Sequence, residues 1–273
     1  MTVRLPPVWF VGCGNMAGAM IEGWAKAGVD FSDAVAIRPR GRKVAGVRTI
    51  THLPDEPPPA RCVLGFKPQT LGAIAPDLAP RLSDKTVLVS MLAGVEVSTL
   101  RAYFPQVEAV VRIMPNLPLA ERRGVTGLYS PDASTDLRHR MAGLFGLIGD
   151  AIWVDSEREL AAIGSLAGAG PAYVARFIAA LAKAGVERGL EPALAARIAL
   201  ETVAGTAAMA AATGETMESV AKRVASPNGT TQAGLDILDQ QLDQLVGRTL
   251  EAASRRGQEL AEAARIDLAP SLA

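Results

Sequence analysis

Val8-Trp9-Phe10-Val11 is a run of four apolar residues with no polar alternation, the pattern of a strand buried on both faces. A glycine turn follows it. Apolar residues then recur at helical spacing to about Ala27, where Gly28 ends the helix. Further strands are predicted at Ala34 to Ile37, Gly46 to Ile50, Cys62 to Gly65, Val87 to Ser90, Ala109 to Ile113, Val125 to Tyr129 and Ile152 to Val154. Helices are expected around Thr70 to Leu82 and Val97 to Phe104, and the Pro-rich, acidic stretch His52 to Arg61 reads as a loop. Strands alternating with helices predict a parallel sheet covered on both faces. From about Ser156 strand patterning stops. Ala, Leu and charged residues keep helical spacing through Leu160–Leu190, Ala193–Ala212, Met217–Val224 and Thr231–Ala264. The expected fold is α/β: a Rossmann-like N-terminal domain with a parallel-rich sheet over 1–155, then an all-α domain over 156–273.

Composition narrows the classes of function. The 28 Lys and Arg balance 28 Asp and Glu, so no net charge draws the chain to nucleic acid or an anionic membrane. Aromatic residues are only 4%, too few for base-stacking platforms. Two His and two Cys make a Cys/His zinc site untenable, so no metal is expected, and the low Cys count fits a reducing cytoplasm. Leu5 to Ile21 is uncharged, but Gly12, Gly14 and Asn15 interrupt it and only Arg4 precedes it, against a signal peptide. Leu160 to Ala175 is also uncharged. It falls short of the ~20 residues of a membrane helix and is expected to be a buried helix of a soluble protein.

Gly12-Cys13-Gly14-Asn15-Met16-Ala17 fits G-x-G-x-x-G/A between the first strand and the first helix. Gly12 would permit the tight turn. Gly14 would let the backbone approach a pyrophosphate at the helix N-terminus, a role in which Asn15 and Met16 take part. The alternative is a glycine turn without a ligand. About 20 residues past such a loop, NAD enzymes place a carboxylate for the ribose 2′-hydroxyl. Here that position falls near Arg38, followed by Arg40, Arg42 and Lys43, with no carboxylate between Asp33 and Asp55. This favours NADP(H) over NAD(H), unless the cations form only a solvated turn. Cys13 reads as a small filler. Lys67-Pro68 follows an apolar strand, at the sheet edge where ligands of open α/β folds bind; a solvated lysine is the alternative. Asn116 also ends a strand, where its amide would hold a nicotinamide edge or simply form a turn. Ser226-Pro227-Asn228-Gly229 should force a tight turn. Gly229, Thr230 and Thr231 then offer N–H groups and hydroxyls to an anion, unless a threonine merely caps the next helix. No histidine is given an acid–base role.

Together with Lys67-Pro68-Gln69, Ser90-Met91-Leu92-Ala93-Gly94-Val95, Arg112-Ile113-Met114-Pro115-Asn116, Gly168-Ala169-Gly170-Pro171-Ala172-Tyr173 and Ser226-Pro227-Asn228-Gly229-Thr230-Thr231, the glycine loop resembles the pyrroline-5-carboxylate reductase family over essentially the whole chain. The resemblance implies NADP(H)-dependent reduction of the cyclic imine to L-proline, the last step of proline biosynthesis. It implies helices interleaved with a partner subunit, and often rings of dimers. It assigns the substrate carboxylate to Ser226, Asn228, Gly229, Thr230 and Thr231, with the Thr231 hydroxyl donating to the ring nitrogen. Lys67, Pro68, Ala93 and Gly94 would line the nicotinamide and its ribose. The chain also departs from the family. Leu117, Ala167, Ala169 and Ala179 stand where polar residues are common, and Asn228 replaces a glycine. A divergent paralogue acting on a related cyclic imino acid, or a dinucleotide-binding regulatory protein with little turnover, are the alternatives. A hydroxyacid dehydrogenase fits less well, because neither Lys183 nor Lys222 has the expected surroundings.

Overall fold

Four consecutive buried residues need apolar cover on both sides, and the computed structural model, which describes residues 3–41 and 43–268, supplies it. β1 (Val3–Arg4) pairs with β3 (Val29–Asp30) in a small separate sheet. Among the described residues the main sheet has eight strands: β2 (Val8–Val11), β4 (Ala34–Ile37), β5 (Arg48–Ile50), β6 (Arg61–Leu64), β7 (Val87–Ser90), β8 (Ala109–Pro115), β9 (Gly124–Tyr129) and β10 (Gly149–Trp153). Their order is β10-β9-β8-β7-β6-β2-β4-β5. The chain starts in the middle, winds outward through β4 and β5, then returns to the far side of β2 at β6. This reversal between β2 and β6 is the switch point at which open α/β sheets leave a crevice.

Alternate residues of each strand face opposite cores. Val8 and Phe10 join one cluster, built with Met20, Ile21 and Trp24 of α1 (Asn15–Lys26). Trp9 and Val11 join the other, with Leu71, Ala75 and Leu78 of α2 (Leu71–Leu78) and Leu100 of α3 (Val97–Tyr103). Trp24 meets Phe145 of α4 (Thr135–Gly146) edge-on at 5.3 Å and donates Nε1 to the Leu144 carbonyl at 2.9 Å.

The strands of the main sheet fall on or beside the apolar runs, with β10 starting three residues earlier than expected, and β1 and β3 of the small sheet lie outside any run. The main sheet is not wholly parallel. β9 runs antiparallel to β8. Only a tight turn, Leu117–Glu121 with Arg122 at φ 58°, joins them, and that span is too short for the crossover a parallel neighbour requires. β10 is again parallel to β9, because α4 supplies a crossover.

The chain divides into two compact units, residues 1–169 with 253–273, and residues 170–252. α5 (Glu157–Ile163) continues through a π-turn (Gly164–Gly168) into α6 (Gly170–Val186). The glycines therefore do not break the helix. The expectation of a short, buried helix at Leu160 to Ala175 is corrected: Glu157–Val186 is one helical stretch of 30 residues whose most apolar window is not buried within the chain. By length and composition both it and α7 (Pro192–Thr213) would suffice to cross a membrane.

The second unit contains α6, α7, α8 (Met217–Val224), α9 (Thr230–Leu238) and the start of α10 (Leu242–Leu268). Only Ala195, Ala199, Ala210 and Val220 are buried in it among the described residues, while Phe177, Leu181, Ile198, Leu200, Ile237 and Leu245 are exposed. A helical unit with so small a core and so much apolar surface does not bury its hydrophobic faces by itself.

Candidate functional site

At the carboxyl ends of β2, β4, β5 and β6 lies a cleft of about 700 Å³. Its walls include Gly12, Cys13, Gly14, Arg38, Arg40, His52, Phe66 and Lys67. Gly12 sits at φ 77°, and a Cβ there would come within 2.8 Å of the Phe66 backbone nitrogen and 2.9 Å of the Gly65 carbonyl carbon. Only glycine allows the β2 turn and the β6 turn to approach this closely. Gly14 is the N-cap of α1, with no side chain bonded to the helix end and open space where its Cβ would be. The first-turn N–H groups of α1 are thus left for a ligand, with no acidic side chain in that turn to compete.

The basic turn closes the other end of the cleft. The Arg38 N–H donates to the Ile50 carbonyl at 2.8 Å and the Gly41 N–H to the Arg38 carbonyl at 2.8 Å, which fixes Arg38–Gly41 beside the end of β5. Arg42 lies outside the described residues. The Cys13 thiol is buried, and desolvation pushes its pKa up against a smaller opposing effect of Arg38. A thiol held protonated is no nucleophile, in keeping with a filler role.

The structure thus gathers Gly12, Gly14, Arg38 and Lys67 around one cleft, with Asn15, Met16 and Pro68 next to them in the chain. Lys67 is exposed, and its carbonyl accepts from the Thr70 hydroxyl at 2.8 Å. Ala93, Gly94 and Asn116 are not in the cleft wall; they lie beyond the ends of β7 and β8. Gly94, at φ 75°, is covered by α10: a Cβ there would meet the Ala261 Cα at 2.4 Å.

Asn116 is 6% exposed and both ends of its amide are engaged. Oδ1 accepts from the Val125 N–H at 2.8 Å, and Nδ2 donates to the Ala167 carbonyl at 3.1 Å. The second bond has a covalent cause. In a regular helix the Ala167 carbonyl would accept from the N–H four residues on, but that residue is Pro171, which has none. Asn116 takes the orphaned carbonyl, and the Ala169 N–H reaches back to the Gly164 carbonyl at 3.3 Å to close the π-turn. Ser165 and Ser254 exchange a hydroxyl hydrogen bond at 2.8 Å, tying the same turn to α10. Nearby, the guanidinium of Arg112 on β8 pairs with Glu157, whose other oxygen accepts from the Val97 N–H at 3.0 Å. Burial lowers the Arg112 pKa to about 10.

The remaining residues lie in the second unit. Asn228 adopts φ 57°, the left-handed conformation the turn demands, and the Gly229 N–H donates to the Ser226 carbonyl at 2.9 Å. The N-cap of α9 is Gly229 with no side-chain cap, so neither Thr230 nor Thr231 caps this helix. Thr231 is exposed in the first turn of α9, where no acidic residue stands.

Sequence reasoning missed Thr51, His52, Phe66, Thr70 and Asp77 as cleft-lining residues. Their one signal was position: each lies just after a strand that ends at the switch-point edge, or on the helix that follows.

Comparison with known proteins decides the family. The chain is 35% identical over 266 residues to the pyrroline-5-carboxylate reductase of Pseudomonas aeruginosa, spanning 94% of this chain and 97% of that one. It belongs to the pyrroline-5-carboxylate reductase family. Pyrroline-5-carboxylate reductase 2 of Bacillus subtilis is 34% identical over 93% of this chain and 95% of its own. Residues 157–260 match the family described as pyrroline-5-carboxylate reductase dimerisation. The structure of the Coxiella burnetii reductase superposes with a TM-score of 0.83 at 29% identity, covering 93% of this chain and 98% of that one. The Plasmodium falciparum reductase, solved with NADP bound, has the same fold, with a TM-score of 0.82 at 22% identity over 95% and 99% of the two chains.

Proposed function

We propose that this chain is an NADP(H)-dependent pyrroline-5-carboxylate reductase that forms L-proline, the last step of proline biosynthesis. The observation that carries the reading is full-length similarity to reductases of that name, joined to an open dinucleotide cleft at the sheet's switch point. The cleft suits the cofactor: Gly14 leaves the α1 N-terminus free for a pyrophosphate, and Arg38 and Arg40 supply cations where a 2′-phosphate would sit. When bound, NADPH supplies a hydride from its nicotinamide ring. The preference for NADP(H) over NAD(H) rests on the absence of a carboxylate at the end of β4.

The chain's own residues have three tasks. Gly12, Gly14, Asn15, Met16, Arg38, Lys67 and Pro68 bind and orient the dinucleotide, and Ala93, Gly94 and Asn116, beyond the ends of β7 and β8, shape its surroundings. The turn of Ser226, Asn228, Gly229 and Thr230 holds the substrate carboxylate on free first-turn N–H groups. Thr231 donates its hydroxyl to the ring nitrogen, polarising the C=N bond so that its carbon accepts the hydride. A hydride added to the carbon and a proton taken up from solvent by the nitrogen convert the imine to the secondary amine, and no histidine relay is required.

Residues 1–155 serve as the dinucleotide-binding domain and 156–273 as the dimerisation and substrate domain, a division supported by the match that starts at residue 157. The exposed apolar faces of α6 and α7 are covered by a second copy of the chain, not by lipid, because both helices lie inside the dimerisation match. Dimers assembling into rings, and a cytoplasmic location, complete the proposal. Ala167 and Ala169, at the π-turn, favour one second reading, a paralogue taking a related cyclic imino acid. Proline formation by the purified chain from racemic pyrroline-5-carboxylate, with NADPH and NADH in parallel, tests both. Rapid proline formation supports the first; NADPH binding without proline formation supports the second.

A further inference from the structure

The basic turn is not alone at its end of the cleft. Thr51 and His52, just past β5, line the same cleft as Arg38 and Arg40. Two contacts fix their position. The backbone bond from Arg38 to Ile50 clamps the turn to the end of β5, and a Cβ on Gly41 would lie 3.6 Å from the Thr51 methyl group. The Thr51 hydroxyl and His52 Nδ1 lie 3.2 Å apart, which orients the exposed ring and leaves Nε2 as its other donor. We propose that His52 is a specificity-determining residue of the cofactor site. In its protonated form it adds a third cation to Arg38 and Arg40 against the 2′-phosphate, so that preference for NADPH over NADH strengthens as pH falls. This rests on the NADP(H) reading above.

The chemistry fits the position. An imidazole changes charge between about pH 5 and 8, unlike the two guanidinium groups beside it. A 2′-phosphate is the only dinucleotide group that separates NADPH from NADH, so a charge acting on it changes their ratio and not their common affinity. The charged groups around His52 are mixed. Arg38 and Arg40 come from the β4 turn and Lys67 from the β6 turn. Asp77 of α2 also lines the cleft. Asp55, held ionised chiefly by its hydrogen bond to Arg81 at 2.7 Å, also feels His52. The phosphate titrates too, with a second pKa near 6 for groups of this kind. Its effect has the opposite sign: as pH falls it loses charge and binds more weakly. The direction of the pH dependence therefore separates the protein's contribution from the ligand's.

The test is fluorescence titration of the purified full chain with NADPH and with NADH at pH 6.0 and 8.5, for wild type, His52→Gln and His52→Lys. The expected result is a wild-type NADPH/NADH affinity ratio about fivefold above that of His52→Gln at pH 6.0, converging on it at pH 8.5. His52→Lys should keep the high ratio at both values, and NADH affinity should be alike in all three proteins. Superimposable ratios for wild type and His52→Gln overturn the proposal. So does an equal loss of NADPH and NADH affinity at both pH values, since His52 would then only pack against a shared part of the ligand. Failure of folded wild type to bind NADPH at either pH defeats the cofactor reading itself and this proposal with it.

Discussion

Replacing Asn116 with alanine probes the bridge between the sheet and the π-turn. The substitution removes two hydrogen bonds, from the Val125 N–H at 2.8 Å and to the Ala167 carbonyl at 3.1 Å. A typical internal bond contributes about 1 kcal/mol net, and a buried donor left without a partner costs about 1–3 kcal/mol. The Ala167 carbonyl also lacks its regular i+4 donor, because Pro171 has no N–H. The expected loss is about 2–4 kcal/mol. For a chain of this size that corresponds to a fall in Tm of roughly 5–15 °C. Urea denaturation of wild type, Asn116→Ala and Asn116→Asp, followed by far-UV circular dichroism, measures it. Aspartate keeps an acceptor for Val125 but sets a carboxylate oxygen against the Ala167 carbonyl at a buried position, so it should lose at least as much stability as alanine. A change below about 0.5 kcal/mol for Asn116→Ala would refute the bridge. A large loss of NADPH affinity with unchanged stability would instead mean that the amide serves the nicotinamide.

Other substitutions address the cleft, the substrate turn and the buried ion pair. Thr231→Ala should lower kcat by more than about tenfold with NADPH affinity unchanged, and Thr231→Ser should restore most of it; steady-state kinetics and a binding titration check both. Arg38→Asp should move the ratio of kcat/KM for NADPH over NADH toward NADH by about tenfold or more; an unmoved ratio would place the phosphate elsewhere. Gly12→Ala should abolish measurable dinucleotide binding in an NADPH titration, because its Cβ would meet backbone at 2.8–2.9 Å in a left-handed conformation. Glu157→Ala removes the carboxylate paired with the Arg112 guanidinium, 7% exposed, but leaves the favourable charge of Glu96, so it should cost about 1.5–3 kcal/mol in a urea melt.

Much of the fold is legible because strands covered on both faces announce themselves. Val8–Val11, Ala34–Ile37 and Val87–Ser90 are continuous apolar runs and fall where the pattern puts them. Strand direction is another matter. Val125 to Tyr129 would look the same parallel or antiparallel, and the length of the connection from β8 decides it. α4 is poorly legible, although Leu137, Met141 and Phe145 recur at four-residue spacing and Ser134 caps it at 3.2 Å. Its polar remainder and two glycines dilute the apolar stripe.

The glycines at 164, 168 and 170 and Pro171 look like helix breakers, yet the helix passes through. The missing N–H of Pro171 is compensated from outside by Asn116, which donates to the Ala167 carbonyl across 51 residues of chain, and no local pattern could disclose that. In the candidate site the glycine loop and Asn228 were legible because each needs a backbone conformation that few residues adopt. His52 was not, since its significance depends on β5 lying beside β4.

The central claim, hydride transfer from NADPH to the imine carbon, is tested most directly with cofactor deuterated at the transferable C4 position of nicotinamide. The purified chain would turn over pyrroline-5-carboxylate, and the proline would be analysed by mass spectrometry. One deuterium per proline, on the former imine carbon, is the predicted result. Proline without label, or NADPH that binds and is never oxidised, would contradict it.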